Sequence, residues 1–212
     1  MKKYKAVFFD FDGVIGRTMD DNYRAWKAAL SEFGVRIGKD AYFLLEGMST
    51  KKIAEHFLGG GRKAEGAVKD AVRAKERYYA EHNSFRLYAG TDRFLSSLKK
   101  GGYRLGLVSG ASRARLKGSL KARTLKKFDV VVSGDTVVKC KPHPEPYLTA
   151  ARRLAIAPGD CLVIENAPLG IASAKRAKMG CFAVRTTLGG KHLRLADKVV
   201  AGLSELKKIL CA

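Results

Sequence analysis

Two carboxylates separated by one residue follow a short apolar run near the start of the chain. Asp10 and Asp12 come directly after Ala6–Phe9, and Gly13 follows them. Such a run is typical of a buried strand in a parallel sheet, where ligands bind beyond the carboxyl ends of the strands. Side chains alternate along a strand, so we expect both carboxylates to point the same way while Phe11 packs inwards. One carboxylate of such a pair can attack an electrophile or bind a hard cation, and the other can move a proton.

Two further polar clusters follow later in the chain and have residue types that suit a phosphoryl group. Ser109 and Gly110 end the apolar run Tyr103–Val108. The serine hydroxyl and the nearby backbone N–H groups can hold phosphate oxygens where a helix begins. Lys141 precedes Pro142, which fixes an extended segment, and a lysine there can neutralise the charge of a transferring group.

A fourth cluster consists of Glu165, which ends the apolar run Cys161–Glu165, and of Asn166. These two residues can complete the oxygen-only site that Mg²⁺ prefers. Taken singly, each cluster also has a structural explanation, because serine and asparagine cap helices, aspartate caps turns and lysine lies on surfaces. Four polar clusters at the ends of four predicted strands favour one shared site instead.

The fold that must position these clusters is predicted by the order of the apolar runs. Short runs alternate with helical patterns, which predicts an α/β protein with a Rossmann-like, doubly wound parallel sheet covered by helices on both faces. The predicted strands are Ala6–Phe9, Tyr103–Val108, Val130–Ser133, Cys161–Glu165, Cys181–Arg185 and Lys198–Ala201, and predicted helices include Glu145–Leu154, Leu169–Met179 and Leu203–Leu210.

One segment breaks this alternation because it carries helical patterns and no clear strand. Its first helix is expected to have Asp20 as N-cap and to stop at Gly34, and Glu65–His82 is expected to form another helix. We therefore predict a small helical cap domain inserted into the α/β core. The predicted domains are a core of residues 1–16 and 87–212 and a cap of residues 17–86.

The composition excludes several classes of protein. Of the 212 residues, 46% are hydrophobic and 29% are charged, as in an ordinary globular protein, and no apolar stretch is long enough to span a bilayer. Asp10 interrupts the first apolar run and argues against an export signal, so we expect a cytoplasmic protein without membrane contacts. The four cysteines and four histidines are scattered and match no zinc or disulfide framework.

The net charge of +21 is the unusual feature of the composition. The segment 99–127 alone contains ten basic residues and no acidic one. Such a balance favours anionic partners, which include phosphorylated metabolites, nucleic acids and anionic lipids. Because this segment has few aromatic residues and no known nucleic-acid-binding motif, a solvated surface or the steering of anionic substrates is the simpler explanation.

The four clusters, in their order along the chain, resemble the motifs of the haloacid dehalogenase-like (HAD) hydrolase superfamily. The predicted insertion resembles the helical C1 cap of that family, in the branch that contains phosphatases and β-phosphoglucomutases. The matching residues are Asp-x-Asp-Gly-Val at 10–14, Ser109, Lys141–Pro142 and Glu165–Asn166, and the matching branch segments are Tyr23–Lys27, Leu45–Met48 and Asn166–Gly170.

This resemblance implies a mechanism in which Asp10 attacks phosphorus and forms an aspartyl-phosphate. Asp12 would protonate the leaving alcohol and then activate the water that hydrolyses the intermediate. Ser109, Gly110 and Lys141 would bind the phosphoryl group. Such a division of roles fits phosphoryl transfer, for which a protein mainly supplies positioning and electrostatic stabilisation.

The resemblance also implies a Mg²⁺ site formed by the Asp10 carboxylate, the Asp12 backbone carbonyl, Glu165 and Asn166. Many relatives have an aspartate at the position of Asn166. We therefore expect Glu165 to be the stronger ligand and Mg²⁺ to bind less tightly than it would to two carboxylates. Glu46 is expected to lie in the cap close to the substrate.

The leading hypothesis is a Mg²⁺-dependent phosphomonoesterase acting on a small phosphorylated metabolite, such as a sugar phosphate or phosphoglycolate. A sugar-phosphate mutase resembling β-phosphoglucomutase is the alternative. Asn22 stands where those mutases have a histidine, and Ser49–Lys51 where they have an arginine for the second phosphate, so both positions favour hydrolysis. A protein that binds nucleic acid or other anions through 99–127 is a third hypothesis.

Overall fold

A parallel sheet forms the core of the structure, a computed structural model that describes residues 4–211. Its strands are β1 (Ala6–Phe9), β2 (Arg104–Val108), β3 (Val130–Val132), β4 (Cys161–Glu165), β5 (Gly180–Val184) and β6 (Lys198–Val200). They lie in the order β3-β2-β1-β4-β5-β6, so the winding of the chain changes direction between β1 and β4. Ligands bind at such a switch point in open α/β sheets. The predicted doubly wound fold is confirmed.

Side-chain alternation along β1 divides the apolar core into two layers. Val7 and Phe9 belong to the layer on one face of the sheet, whereas Ala6 and Phe8 belong to the layer on the other face. All four side chains are completely buried. This double burial explains why the strand reads as an unbroken apolar run.

Helices cover both faces of the sheet and form the inserted segment. The helices in chain order are α1 (Met19–Ser31), α2 (Lys39–Phe43), α3 (Thr50–Leu58), α4 (Glu65–His82), α5 (Thr91–Lys100), α6 (Arg113–Ser119), α7 (Ala122–Leu125), α8 (Glu145–Arg153), α9 (Pro168–Arg176) and α10 (Leu203–Leu210). Within residues 4–211, none of them has the length and apolar character needed to cross a bilayer.

Helices α1 to α4 pack around an apolar cluster of their own. Trp26, Leu30, Ile53 and Val68 are among its buried members, and α4 contacts both α1 and α3. No strand occurs between residues 19 and 82, all of which the structure describes. The inserted segment is therefore helical, as the sequence predicts.

The chain passes between the sheet and the inserted helices through two paired segments. The N–H of Arg17 donates to the carbonyl of Arg86 at 2.9 Å, and the N–H of Tyr88 donates to the carbonyl of Ile15 at 3.1 Å. These contacts lie beside the predicted domain boundaries, which remain a prediction. Residues 1–3 and 212 of the predicted core lie outside the described residues.

The start of α1 differs from the sequence-based expectation, in which Asp20 is the N-cap. The helix begins at Met19 with Thr18 in the N-cap position, and Thr18 makes no capping bond. Its hydroxyl instead donates to Oδ1 of Asp12 at 2.5 Å. The helix also ends at Ser31, before the expected stop at Gly34. A contact with a candidate site residue therefore replaces the local cap.

Gly106→Ala is expected to destabilise the sheet. A Cβ atom at Gly106 would lie 2.6 Å from the ring of Phe8 and 3.0 Å from Val130. Because Phe8 is buried and cannot move away, we expect a loss of about 1–3 kcal/mol in the free energy of unfolding, measured by urea denaturation. Gly66→Ala in α4, where a Cβ meets nothing within 4 Å, is the control and should cost no stability. Equal losses in both variants would contradict this account of the packing.

Candidate active site

The carboxyl ends of three neighbouring strands meet at Lys141, which donates to Asp10 after β1, to the carbonyl of Val108 at the end of β2 and to Glu165 at the end of β4. Asp10 and Ser109 extend β1 and β2 by one residue, since their N–H groups still donate to neighbouring strands, at 3.0 and 2.9 Å. Lys141 Nζ donates to Oδ1 of Asp10 at 2.6 Å and to Oε1 of Glu165 at 2.7 Å. With 2% of its surface exposed, Lys141 is no surface lysine.

The charges of this cluster compensate one another in a buried place. Burial by itself lowers the pKa of Lys141, but the carboxylates of Asp10 and Glu165 raise it above its ordinary value. Burial raises the pKa of Asp10 well above its ordinary value, and the charge of Lys141 offsets only part of that rise. A buried charge is tolerated when it is paired in this way. The contact with Lys141 thus stabilises the carboxylate form of Asp10.

Glu165 is surrounded by donors. Its Oε1 accepts hydrogen bonds from Lys141 and from the hydroxyl of Tyr147, both at 2.7 Å. Its Oε2 accepts from the two backbone N–H groups that follow it, at 3.0 and 3.4 Å. A Cβ atom at Gly170 would lie 1.8 Å from Oε1, so glycine is needed there. Glu165 therefore holds Lys141 in place.

Asn166 has an amide oxygen that is buried and lacks a partner. Its Nδ2 donates to Oγ1 of Thr187 at 3.0 Å, whereas its Oδ1 has no partner in the part of the chain that the structure describes. A Cβ atom at Gly13 would lie 2.1 Å from Nδ2, so the amide packs against the turn that follows Asp12. Asn166 does not cap α9, whose N-cap residue is Ala167. An unpaired buried acceptor is costly and marks a place for a ligand.

Ser109 and Gly110 lie where β2 meets the inserted helices. The Ser109 hydroxyl accepts a hydrogen bond from the N–H of Ala111 at 3.0 Å. A Cβ atom at Gly110 would lie 3.2 Å from the carbonyl of Met48, so the cap approaches the backbone closely here. The side chain of Ser112, not that of Ser109, caps α6. The hydroxyl of Ser109 is therefore not used to start the helix.

Asp12 faces the inserted helices and accepts three hydrogen bonds on one oxygen. Oδ1 accepts from the Thr18 hydroxyl at 2.5 Å, from Arg115 Nη2 at 2.5 Å and from Asn22 Nδ2 at 3.1 Å. Phe11, between the two aspartates, is completely buried, as alternation predicts. Asp12 is thus tied both to α1 and to α6.

A cavity of about 300 Å³ lies between the inserted helices and the edge of the sheet. Asp12, Gly110 and Arg115 line it from the core, and Trp26, Glu46 and Lys75 line it from the cap. Trp26 also belongs to the buried cap cluster, so its packing role and its place in the cavity wall coexist. The volume suits a small substrate.

Glu46 lines this cavity from the cap, close to Asp12. Its Oε2 accepts a hydrogen bond from the Tyr42 hydroxyl at 2.7 Å. Burial, followed by the charge of Asp12, raises the pKa of Glu46 from 4.5 to about 7, although Arg115 and Lys75 act in the other direction. Near neutral pH this side chain is therefore present both as acid and as carboxylate.

Four residues that the structure places around the site were not predicted from the sequence: Thr18, Lys75, Arg115 and Tyr147. Thr18 lies one helical turn before Asn22 at the start of α1, a spacing that could have revealed it. The other three carried no usable signal. Arg115, for example, is one basic residue among ten in its segment.

The chain matches the family model described as haloacid dehalogenase-like hydrolase over residues 7–184. The match includes all four polar clusters and most of the chain. The protein therefore belongs to this family of hydrolases, and the resemblance inferred from its motifs is confirmed.

Individual relatives share this architecture over most of their length. The chain is 34% identical over 210 residues to a β-phosphoglucomutase of Bacillus subtilis, covering 95% of this chain and 91% of the relative. It is 33% identical over 180 residues to a phosphoglycolate phosphatase of Nitrosospira multiformis, with coverage of 82% and 79%. A β-phosphoglucomutase of Clostridium difficile superposes with a TM-score of 0.83 at 28% identity, with coverage of 96% and 93%.

Glu46→Gln is expected to change how stability depends on pH. In the folded protein Glu46 has a pKa of about 7, above its ordinary value of 4.5. Between these pH values the folded chain keeps a proton that the unfolded chain has lost. The free energy of unfolding of the wild type therefore decreases as the pH rises from about 4.5 to about 7. The glutamine variant has no carboxyl group at this position, so its free energy of unfolding does not show this decrease. Its stability relative to the wild type should therefore be higher at pH 8 than at pH 5, by about 2 kcal/mol.

Denaturant unfolding at the two pH values measures this difference. Glu32→Gln removes an exposed carboxylate at the end of α1 and serves as the matched control. A Glu46→Gln curve that runs parallel to the wild type across this pH range would show that Glu46 does not titrate inside the folded protein.

Proposed function

We propose that the protein is a Mg²⁺-dependent phosphomonoesterase that hydrolyses a small phosphorylated metabolite through an aspartyl-phosphate on Asp10. The observation that carries this proposal is the buried contact of 2.6 Å between Lys141 Nζ and Asp10 Oδ1. An ammonium group in this position orients the nucleophile and offsets the charge of a phosphoryl group beside it. Ser109 lies at the end of the adjacent strand, where its hydroxyl can bind a phosphoryl oxygen.

The two aspartates divide the reaction between them. A carboxylate oxygen of Asp10 forms a bond to phosphorus while the bond from phosphorus to the leaving oxygen breaks, and Asp12 gives its proton to that oxygen. Water then attacks phosphorus and loses a proton to Asp12, and the bond between Asp10 and phosphorus breaks to release inorganic phosphate. Asp12 lines the cavity between the inserted helices and the sheet, where we place the leaving group, and this position suits its role.

The proposed magnesium ion would lie among the oxygens at the edge of the sheet. Among residues 4–211 no three His, Cys, Asp or Glu side chains form a metal cluster, so backbone and amide oxygens must contribute. We assign as ligands Asp10, the backbone carbonyl of Asp12 and Oδ1 of Asn166, which is buried and has no partner among the described residues. Glu165 was expected to be the stronger ligand, but both of its oxygens already accept hydrogen bonds. When bound, Mg²⁺ would polarise the phosphoryl oxygens.

Hydrolysis is favoured over phosphate transfer between sugar positions. Asn22 donates to Asp12 at 3.1 Å and, unlike histidine, has no group that titrates near neutral pH. The similarity to a phosphoglycolate phosphatase and to β-phosphoglucomutases supports phosphoglycolate or a sugar phosphate as the substrate class.

Asp10→Asn is expected to abolish phosphate release. Asparagine keeps the shape of the side chain but cannot form an aspartyl-phosphate, so kcat should fall on the order of a thousandfold or more. The assay measures inorganic phosphate from a panel of phosphomonoesters, with Mg²⁺ and with EDTA. Asp70→Asn, at an exposed position of α4, is the matched control and should retain full activity.

Either of two results would contradict the proposed function. One is undiminished release in the Asp10→Asn variant. The other is no release from any ester by the folded wild type with Mg²⁺, unless a sugar bisphosphate restores turnover, which would identify a mutase.

Asn166→Asp is expected to tighten Mg²⁺ binding. The substitution adds a negative charge at the buried, unpartnered side-chain oxygen that we assign to the site, so Kd for Mg²⁺ should fall roughly tenfold. Asn166→Ala should raise Kd. Calorimetric titration of each protein with MgCl₂ measures these values without turnover, and Asn83→Asp, outside the site, controls for the added charge. An unchanged Kd in both Asn166 variants would exclude this residue as a ligand.

A further inference from the structure

Three consecutive residues after β5 connect the candidate metal site with the inserted helices. Thr186–Leu188, here called the bridging segment, follow the strand that pairs with β4. The phosphoryl chemistry described above gives them no role. Each residue makes a different contact, and together the contacts reach the turn after Asp12, the side chain of Asn166 and the apolar cluster of the cap.

Thr186 constrains the turn that follows Asp12. Its hydroxyl donates to the carbonyl of Gly13 at 2.5 Å. On the other side of this turn, a Cβ atom at Gly13 would lie 3.0 Å from the side chain of Met19, which belongs to the cap cluster. The turn is therefore confined between the bridging segment and the first residue of α1.

Thr187 contacts Asn166 in a way that determines the orientation of the amide. Its Oγ1 accepts a hydrogen bond from Nδ2 of Asn166 at 3.0 Å, and its hydroxyl donates to the backbone carbonyl of the same residue at 3.4 Å. A hydroxyl that donates to this carbonyl keeps a lone pair for the amide nitrogen. Nδ2 is therefore held on Thr187, and Oδ1 is left buried and without a partner among the described residues.

The orientation of this amide decides whether Asn166 can bind a cation. An amide presents an acceptor oxygen on one side and an NH₂ group on the other. If the amide of Asn166 were turned by 180°, the NH₂ group would lie where Mg²⁺ requires an oxygen ligand. A carboxylate at this position would need no such control, because either of its oxygens can bind the ion. An asparagine therefore depends on Thr187 in a way that an aspartate would not.

Leu188 extends from the loop after β5 into the cap. Its side chain is 5% exposed and belongs to the same apolar cluster as Trp26 and Leu30 of α1. Burial of this apolar surface stabilises the contact between the loop and the inserted helices. Because Leu188 is joined to Thr187 by one peptide bond, the packing of the cap also restrains the acceptor that orients Asn166.

We propose that the bridging segment positions Asn166 for Mg²⁺ and links this position to the packing of the cap. Thr187 is a positioning residue: it holds the amide so that Oδ1 is free for the ion, and it touches neither the ion nor the substrate. Leu188 restrains Thr187 from the cap, and Thr186 restrains the adjoining turn. The proposal rests on the proposed function, in which Asn166 is a ligand of Mg²⁺.

Thr187→Val is expected to weaken Mg²⁺ binding. Valine keeps the shape of threonine but cannot accept a hydrogen bond, so the amide loses the contact that fixes its orientation. Kd, measured by calorimetric titration with MgCl₂, should rise roughly threefold to tenfold. Thr187→Ser keeps the hydroxyl and should preserve the Kd of the wild type. Thr149→Val is the matched control, because it removes a hydroxyl of α8 that accepts from Arg152 at 3.1 Å, outside the site.

The same substitution in the Asn166→Asp protein separates orientation of the amide from a general effect on the fold. A carboxylate needs no orientation, so Thr187→Val should change Kd by less than about twofold in this background. An equal rise in both backgrounds, or equal effects of Thr187→Ser and Thr187→Val, would overturn the role of Thr187. If Thr187→Val does not fold, as judged by circular dichroism, Thr187→Ala removes the same acceptor and replaces it in each comparison.

Leu188→Ala tests the link to the cap. Loss of the anchor should raise Kd for Mg²⁺ roughly threefold, because Thr187 is then less well held. Val68→Ala truncates another buried member of the cap cluster, on α4, and should lower stability without changing Kd. An unchanged Kd in Leu188→Ala, or an equal rise in Val68→Ala, would overturn the link to the cap.

The proposed function and the bridging segment fail in different ways. The titrations contain no substrate, so a protein that binds Mg²⁺ as expected but releases no phosphate would overturn the phosphomonoesterase function alone. A rise of Kd in Asn166→Ala but not in Thr187→Val or Leu188→Ala would overturn the bridging segment alone. No Mg²⁺ binding by the wild type, or an unchanged Kd in Asn166→Ala, would overturn the ligand assignment and with it the bridging segment.

Discussion

The ion pairs of Lys141 are the interaction on which the rest of the candidate site depends. Asp10 follows β1 and Glu165 ends β4, and these strands are neighbours in the middle of the sheet. Two buried carboxylates at adjacent strand ends would repel each other without a cation between them. Loss of one partner from a buried ion pair costs about 3–5 kcal/mol, because the other charge remains buried. The lysine that would stabilise the phosphoryl group is therefore also the residue that allows this edge of the sheet to form.

Hydrogen-bond satisfaction separates the residues that support the site from those that await a ligand. Glu165 is fully engaged, whereas the two unpartnered buried side-chain atoms among residues 4–211 are Oδ1 of Asn166 and Nε of Arg115. Native proteins pair nearly all buried polar groups, so such exceptions indicate where another molecule completes the bonding. Oδ1 of Asn166 is an acceptor, which suits a cation, and Nε of Arg115 is a donor, which suits an anion.

The sequence predicts the site residues whose positions are set by the strands of the sheet. It does not predict the residues whose place in the site depends on the direction of the side chain. Asp10, Ser109 and Glu165 were identified because each comes at the end of an apolar run, and β1 and β4 were predicted to the residue. Lys141 was identified as a candidate, but its burial follows from the course of a loop that no periodicity encodes. Whether Arg115 points inwards or to solvent depends on where α6 lies against α4, which a local pattern does not contain.

The large positive charge and the buried cations act over different distances. Lys99 pairs with Asp129 at 2.8 Å and Lys127 with Asp92 at 3.2 Å, so part of the basic segment 99–127 is neutralised locally. The remaining exposed charge acts through water, is screened by salt within about 10 Å, and bears on how fast an anion arrives. Lys141 is buried and shielded from that screening, and in the proposed reaction it holds the phosphoryl group in place. A basic surface and a selective site for an anion are therefore compatible in one small enzyme. The surface attracts anions without a defined geometry, whereas the site depends on the positions of its side chains.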